Sequence, residues 1–199
     1  MTNGLEDFKN QLQSMKESYD KDDSLRDQII KQSRDILKPS KLAIYSVHKG
    51  NMDEAEKLIS QAKEVIKKVF ALIKESSFES QGAFKAGLEE YVEAVCFVEY
   101  IKNNSLPLKK DLEEDFLIPD ATYLGGLGDF VGELTRRSVL LATKKKYEEV
   151  KKIHELIQEI YGLFLAFDFR NGELRKKFDG LKYALAKVEG ITYDLSLKQ

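Results

Sequence analysis

Two acidic pairs are the residues of this chain whose types and spacing could do chemistry. Glu90 and Glu93 stand three apart in EYVEAV, and Asp129 and Glu133 stand four apart in YLGGLGDFVGELTRR. On a helix such residues are neighbours one turn away, where like charges repel mildly. A partly buried carboxylate pair must be relieved by a proton, a basic partner or a metal ion. Three or four converging carboxylates with no His or Cys among them would form an all-oxygen site, suited to Mg2+ or Mn2+. Such an ion can activate water and stabilise the charge of an in-line phosphoryl displacement. The competing reading is ordinary: Lys or Arg from a neighbouring helix pairs with the acids, as is commoner for an acidic pair met at random. A di-iron bundle would need a Glu-x-x-His motif, which is absent. His48 and His154 fall in no metal-ligand spacing. Gly125-Gly126-Leu127-Gly128 follows no strand pattern, so it is a poor nucleotide loop.

Helices must position these acids. At roughly 100° per residue, Tyr123, Leu127, Phe130, Leu134 and Leu141 gather on one side, flanked by Leu124 and Val131. That is a core-facing stripe, with Asp129 and Glu133 opposite. Gly125, Gly126 and Gly132 lie beside the acids. Each interior glycine costs about 1 kcal/mol relative to alanine, and close approach of another backbone or a ligand is the usual reason to keep one. The other pair falls on a helix predicted from Gln81 to Lys102. Phe84, Leu88, Val92, Val95, Phe97, Val98 and Ile101 make it apolar nearly all round, so it should be mostly buried. Lys85, Glu89, Cys96 and Glu99 mark its narrow water-facing side. Glu90 and Glu93 project away from most of that strip. If the two helices are antiparallel neighbours, the pairs meet.

The remaining pattern is helical throughout. Leu5, Phe8, Leu12, Met15 and Tyr19 predict a first amphipathic helix, with a turn at Lys21 to Ser24. A second helix follows, broken or kinked near Pro39 and stopped at Lys49-Gly50-Asn51. Further helices are expected from Met52 to Glu75, Tyr147 to Phe169 and Glu173 to Val188, with a charged connection from Lys109 to Asp115. The 199 residues suit a single domain spanning 1–199: an all-α bundle of about six to seven helices. A net charge of −2 provides no global basic field, so any basic surface must be local. The single cysteine excludes an intrachain disulfide and fits a reducing compartment. No signal peptide or 18-residue apolar stretch is visible, so a cytoplasmic protein without membrane contact is expected.

Three long segments, GLEEYVEAVCFVEYIKNNSL (87–106), YLGGLGDFVGELTRR (123–137) and LKYALAKVEGITYDL (181–195), resemble the translin superfamily. They are closest to its translin-associated factor X (TRAX) branch. The SRDI..SK..I...H pattern of Ser33, Arg34, Asp35, Ile36, Ser40, Lys41, Ile44 and His48 is TRAX-like as well. The resemblance is collinear over nearly the whole chain. It implies a protomer of about seven helices and a closed, hollow homo-oligomer, often an octamer, with RNA inside. The TRAX branch further implies a Mg2+- or Mn2+-dependent endoribonuclease. Glu90, Glu93 and Asp129 match that branch's acids, which translin lacks, and are the expected catalytic metal ligands. Glu133 matches an acid that both branches share and is an auxiliary catalytic residue. The alternative is a non-catalytic, translin-like shell that binds RNA or single-stranded DNA. The chain departs from TRAX in its compact 103–122 connection and its lack of a basic nuclear-targeting arm. RNA contacts are expected at Arg136 and Arg137, one or two turns beyond the acids, and then at Arg34, Lys41 and His48. Each of these bases is about as often a solvated surface residue.

Overall fold

The computed structural model describes residues 2–75 and 82–197. Seven helices run through them: α1 (Thr2–Lys49), α2 (Met52–Glu75), α3 (Gly82–Asn103), α4 (Lys109–Leu112), α5 (Asp120–Thr143), α6 (Tyr147–Phe164) and α7 (Glu173–Ser196). No strand occurs among the described residues, so the all-α expectation holds. No helix among them is long and apolar enough to cross a membrane.

The largest departure from expectation is α1, one continuous helix where a turn at Lys21 to Ser24 and a break or kink near Pro39 were predicted. Its 48 residues make it about 72 Å long at 1.5 Å per residue. The Lys21–Ser24 turn signal does not interrupt the helix, although no apolar residue falls within it. Leu5, Phe8, Leu12, Met15 and Tyr19 continue in register, through Asp22 and Arg26, to the buried Ile29, Ser33, Ile36, Ser40, Ala43 and Val47. Pro39 removes one N–H and frees the carbonyl four residues back. That carbonyl belongs to exposed Asp35, so water can satisfy it. The predicted stop does occur. Gly50 takes φ +82°, its N–H donates to Val47 O at 3.0 Å, and Asn51 N–H donates to Ser46 O at 2.9 Å. Those two bonds are a Schellman closure, for which glycine carries no Cβ penalty.

Ser33 and Ser40, both fully buried, turn their hydroxyls back onto Ile29 O (2.6 Å) and Ile36 O (2.9 Å). Their small size lets α1 close on α3. A Cβ at Gly87 would meet Ile36 Cδ1 at 3.1 Å and Ser33 O at 3.2 Å. The core gathers there and beneath α5, around Phe97, Phe116, Phe130, Ile36, Leu134 and Ile157. Each such side chain contributes about 1.5–3 kcal/mol of apolar burial. Cys96 belongs to this core at 0% exposure, not to the water-facing side of α3, and burial pushes its thiol pKa up to about 12.

Contacts between α3 and α5 advance together: Glu89 and Val92 meet Gly125 and Gly126, and Tyr100 meets Phe130. The two helices therefore run in the same sense, not antiparallel. The connection at 104–119, including α4, carries the chain back between them. α6 ends at Phe164 rather than Phe169, and α7 continues to Ser196 rather than stopping at Val188.

Candidate functional site

Glycine builds the site from below. A Cβ at Gly126 would lie 2.6 Å from Val92 Cβ and 2.7 Å from Glu89 O; one at Gly125 would lie 2.7 Å from Glu89 Oε1. Alanine does not fit at Gly126, where the α5 backbone presses on the α3 backbone, whereas at Gly125 the neighbour is the movable end of the Glu89 side chain. α7 closes the third side, where a Cβ at Gly128 would meet Lys177 Cβ at 3.3 Å. The expectation of close backbone approach is met at Gly126. Gly132 has open space instead.

Glu90 and Glu93 from α3, Asp129 and Glu133 from α5, and Lys177 from α7 line one open groove of about 420 Å3. The two acidic pairs do come together. Glu93 is the most enclosed, at 9% exposure. Burial, reinforced by Glu90, Asp129 and Glu133, pushes its pKa up to about 8. Among the described residues no base stands within ion-pair distance of it. Glu90 is also raised, chiefly by burial, with Lys41 at 3.6 Å opposing. Glu133 goes the other way: burial raises it, but His48 and Arg136 outweigh burial and hold it below the usual carboxylate range. His48 Nε2–H donates to Glu133 Oε2 at 2.5 Å, and Arg136 lies 3.5 Å from the same oxygen. Asp129 accepts from Lys177 Nζ at 2.5 Å.

Among the described residues no three acidic, imidazole or thiol side chains close on a single point as metal ligands. Glu90, Asp129 and Glu133 are each turned toward a protein cation instead. The donor set still fits a hard divalent ion in type, since it is all oxygen. It also fits in charge, because the acids raise one another's proton affinity.

The expected RNA-binding bases separate into three groups. Lys41 and Arg136 stand at the groove, each paired with one of its acids. Arg34 is exposed seven residues before Lys41 on the same face of α1, about 10 Å away along the helix. His48 and Arg137 depart from expectation. The His48 side chain is 5% exposed and packs on Phe97 at 4.9 Å, so it serves Glu133 rather than solvent. Arg137, about 100° further round α5 than Arg136, lines a different groove with Tyr100, Asn104, Glu149 and Lys152. Sequence reasoning missed Lys177 and Glu89. Lys177 lies in the basic run Arg175-Lys176-Lys177, where nothing local distinguishes it. Glu89 was placed on a water-facing strip, yet its side chain is 18% exposed.

The Translin family model matches residues 24–199. A protein of Methanocaldococcus jannaschii is 31% identical over 182 residues, 88% of this chain and 79% of its own length. Translin-associated protein X of Pongo abelii is 26% identical over 230 residues, 96% of this chain and 78% of its own. Among solved structures, the crystal structure of apo-NeC3PO superposes with a TM-score of 0.83 at 28% identity, covering 92% of this chain and 96% of that one. The AfC3PO–duplex RNA complex gives 0.84 at 22% identity, covering 95% and 98%, which is a likeness of fold.

Proposed function

Because the chain belongs to the Translin family, we propose that it is a nucleic-acid-binding member acting as a metal-dependent endoribonuclease of the TRAX kind. Its substrate is single-stranded or short duplex RNA held inside a homo-oligomer, an octamer by family likeness. One observation carries this reading: Glu90, Glu93, Asp129 and Glu133 share a groove, in which burial and the other three acids push the Glu93 pKa up to about 8. A cation is what such a groove takes up. A solved complex of similar fold that contains duplex RNA supports the substrate class.

Glu90, Glu93 and Asp129 would hold Mg2+ or Mn2+. When bound, such an ion supplies a water of lowered pKa and neutralises charge on the phosphoryl oxygens. Glu93, whose pKa burial and the neighbouring acids raise, would be the ligand that gives up a proton on holding the ion. Glu133, held below the usual carboxylate range and fixed by His48 Nε2–H, would orient a water at the groove wall or complete the ion's shell. Lys41 and Arg136 at the rim, with Arg34 beyond, contact phosphates without reading bases.

The test is incubation with labelled single-stranded and duplex RNA in Mg2+, Mn2+ or EDTA, with Glu90→Ala alongside. Cleavage that needs the metal and disappears in Glu90→Ala is the expected result. A second reading has its own observation, the pairing of three acids with Lys41, His48 and Lys177. A salt-bridged groove of that kind suits a non-catalytic shell for RNA or single-stranded DNA. Tight binding with no cutting in any metal selects this second reading.

A further inference from the structure

Lys177 is not an ordinary surface lysine. Its side chain is 21% exposed, and its ammonium donates to Asp129 Oδ2 at 2.5 Å, Glu89 Oε2 at 3.0 Å and Gly125 O at 3.3 Å. Three acceptors match the three N–H donors of an ammonium. The stem rests against Gly128, where any Cβ would crowd it. One positive charge thus ties α7 to both acid-bearing helices at the mouth of the groove.

Resting on the reading of this groove as a divalent-cation site, we propose that Lys177 is its built-in counter-ion. The ammonium occupies Asp129 until a divalent cation competes for that carboxylate, and it is then retained by Glu89. Two positive charges on one carboxylate repel strongly where water is partly excluded. Asp129 therefore serves the amine or the metal, not both. Glu89 makes the exchange inexpensive. It already accepts from Lys177 at 3.0 Å, and its other cation, Lys85, is more distant at 3.7 Å. An amine without Glu89 would be left as an unpaired, half-buried charge, which is costly. Glu89 and Lys177 are positioning residues in this scheme. Neither touches the reacting atoms.

The two partners should move metal affinity in opposite directions, which a merely structural role would not do. In Lys177→Met the stem is kept and the competitor removed. Mn2+ should bind about tenfold more tightly, equivalent to about 1.4 kcal/mol. In Glu89→Gln the ammonium loses its second carboxylate and commits to Asp129, so Mn2+ should bind several-fold more weakly. Mn2+ affinity is read by titration calorimetry and by electron paramagnetic resonance of the free ion, without RNA. Lys177→Arg keeps the charge and should not reproduce the tightening seen in Lys177→Met. Equal or weaker binding by Lys177→Met, or equal or tighter binding by Glu89→Gln, overturns the inference while leaving the cation site intact. Failure of the wild-type protein and both variants to bind Mn2+ overturns the site and this inference together.

Discussion

At the scale of single residues, the proton on Glu93 couples the groove to the stability of the fold. Its carboxyl titrates near 8 when folded and returns to about 4.5 when exposed. Between those values the folded chain holds a proton that the unfolded chain has released. The group's contribution is therefore fully present below about pH 4.5 and is lost as pH rises through about 8. The slope is at most about 1.4 kcal/mol per pH unit. Metal-free protein should show a falling denaturant midpoint from pH 5 to 8, and Glu93→Gln should flatten that fall. A wild-type midpoint that is constant over the range would contradict the burial argument. His48 offers a second test. Glu133 depends on its N–H, so His48→Ala should cost about 1–3 kcal/mol of stability, the range for a buried polar group that loses its partner. It should also raise the Glu133 pKa, visible by carboxyl-labelled NMR.

Among the elements, α5 shows what glycine contributes and where it contributes nothing. Gly126→Ala would drive a methyl into Val92 and the Glu89 carbonyl. Overpacking of that kind costs about 1–3 kcal/mol, and at this size each kcal/mol lowers Tm by about 2–4 °C. Gly132→Ala meets nothing within 4 Å and should gain up to about 1 kcal/mol of helix propensity, raising Tm. Calorimetric melting of the two variants should move in opposite directions. The close approach at Gly126, the convergence of the four acids and the span of α2 could be read from the sequence, because they rest on periodicity and local chemistry. The course of α1 could not be, because Asp22, Ser24 and Pro39 carry the local marks of a boundary. The helical register from Leu5 to Val47 is kept across them, with the charged Asp22 and Arg26 at its positions. The burial of Cys96 was missed because a helix apolar nearly all round has no reliable wet side. Lys177 was missed because its meaning comes from Glu89 and Asp129, on helices distant in sequence.

Taken whole, the molecule is a bundle with a stem. The leading part of α1 holds Leu5, Phe8, Leu12, Met15 and Tyr19 at least half exposed, so it adds little to the buried core. Deleting residues 2–22 should leave the urea midpoint of the bundle nearly unchanged. A large drop would mean the stem is covered by something that stabilises the fold. Charge also acts at this scale: with a net charge of −2, the RNA affinity proposed above would have to come from a local set of bases. Arg34→Ala, Lys41→Ala and Arg136→Ala should each lower the slope of log affinity against log salt by about 0.7 for single strands. Arg137→Ala, on the other groove, should leave the slope unchanged. The buried thiol has a practical consequence at the same scale. Cys96 is the sole cysteine, it has no exposed surface, and its high pKa leaves almost no thiolate at neutral pH. A maleimide dye or nitroxide would therefore pass over the native chain and find only a cysteine introduced by design. One at Ser14 on the stem and one at Lys182 on α7 would make a two-point ruler, with no background mutation needed.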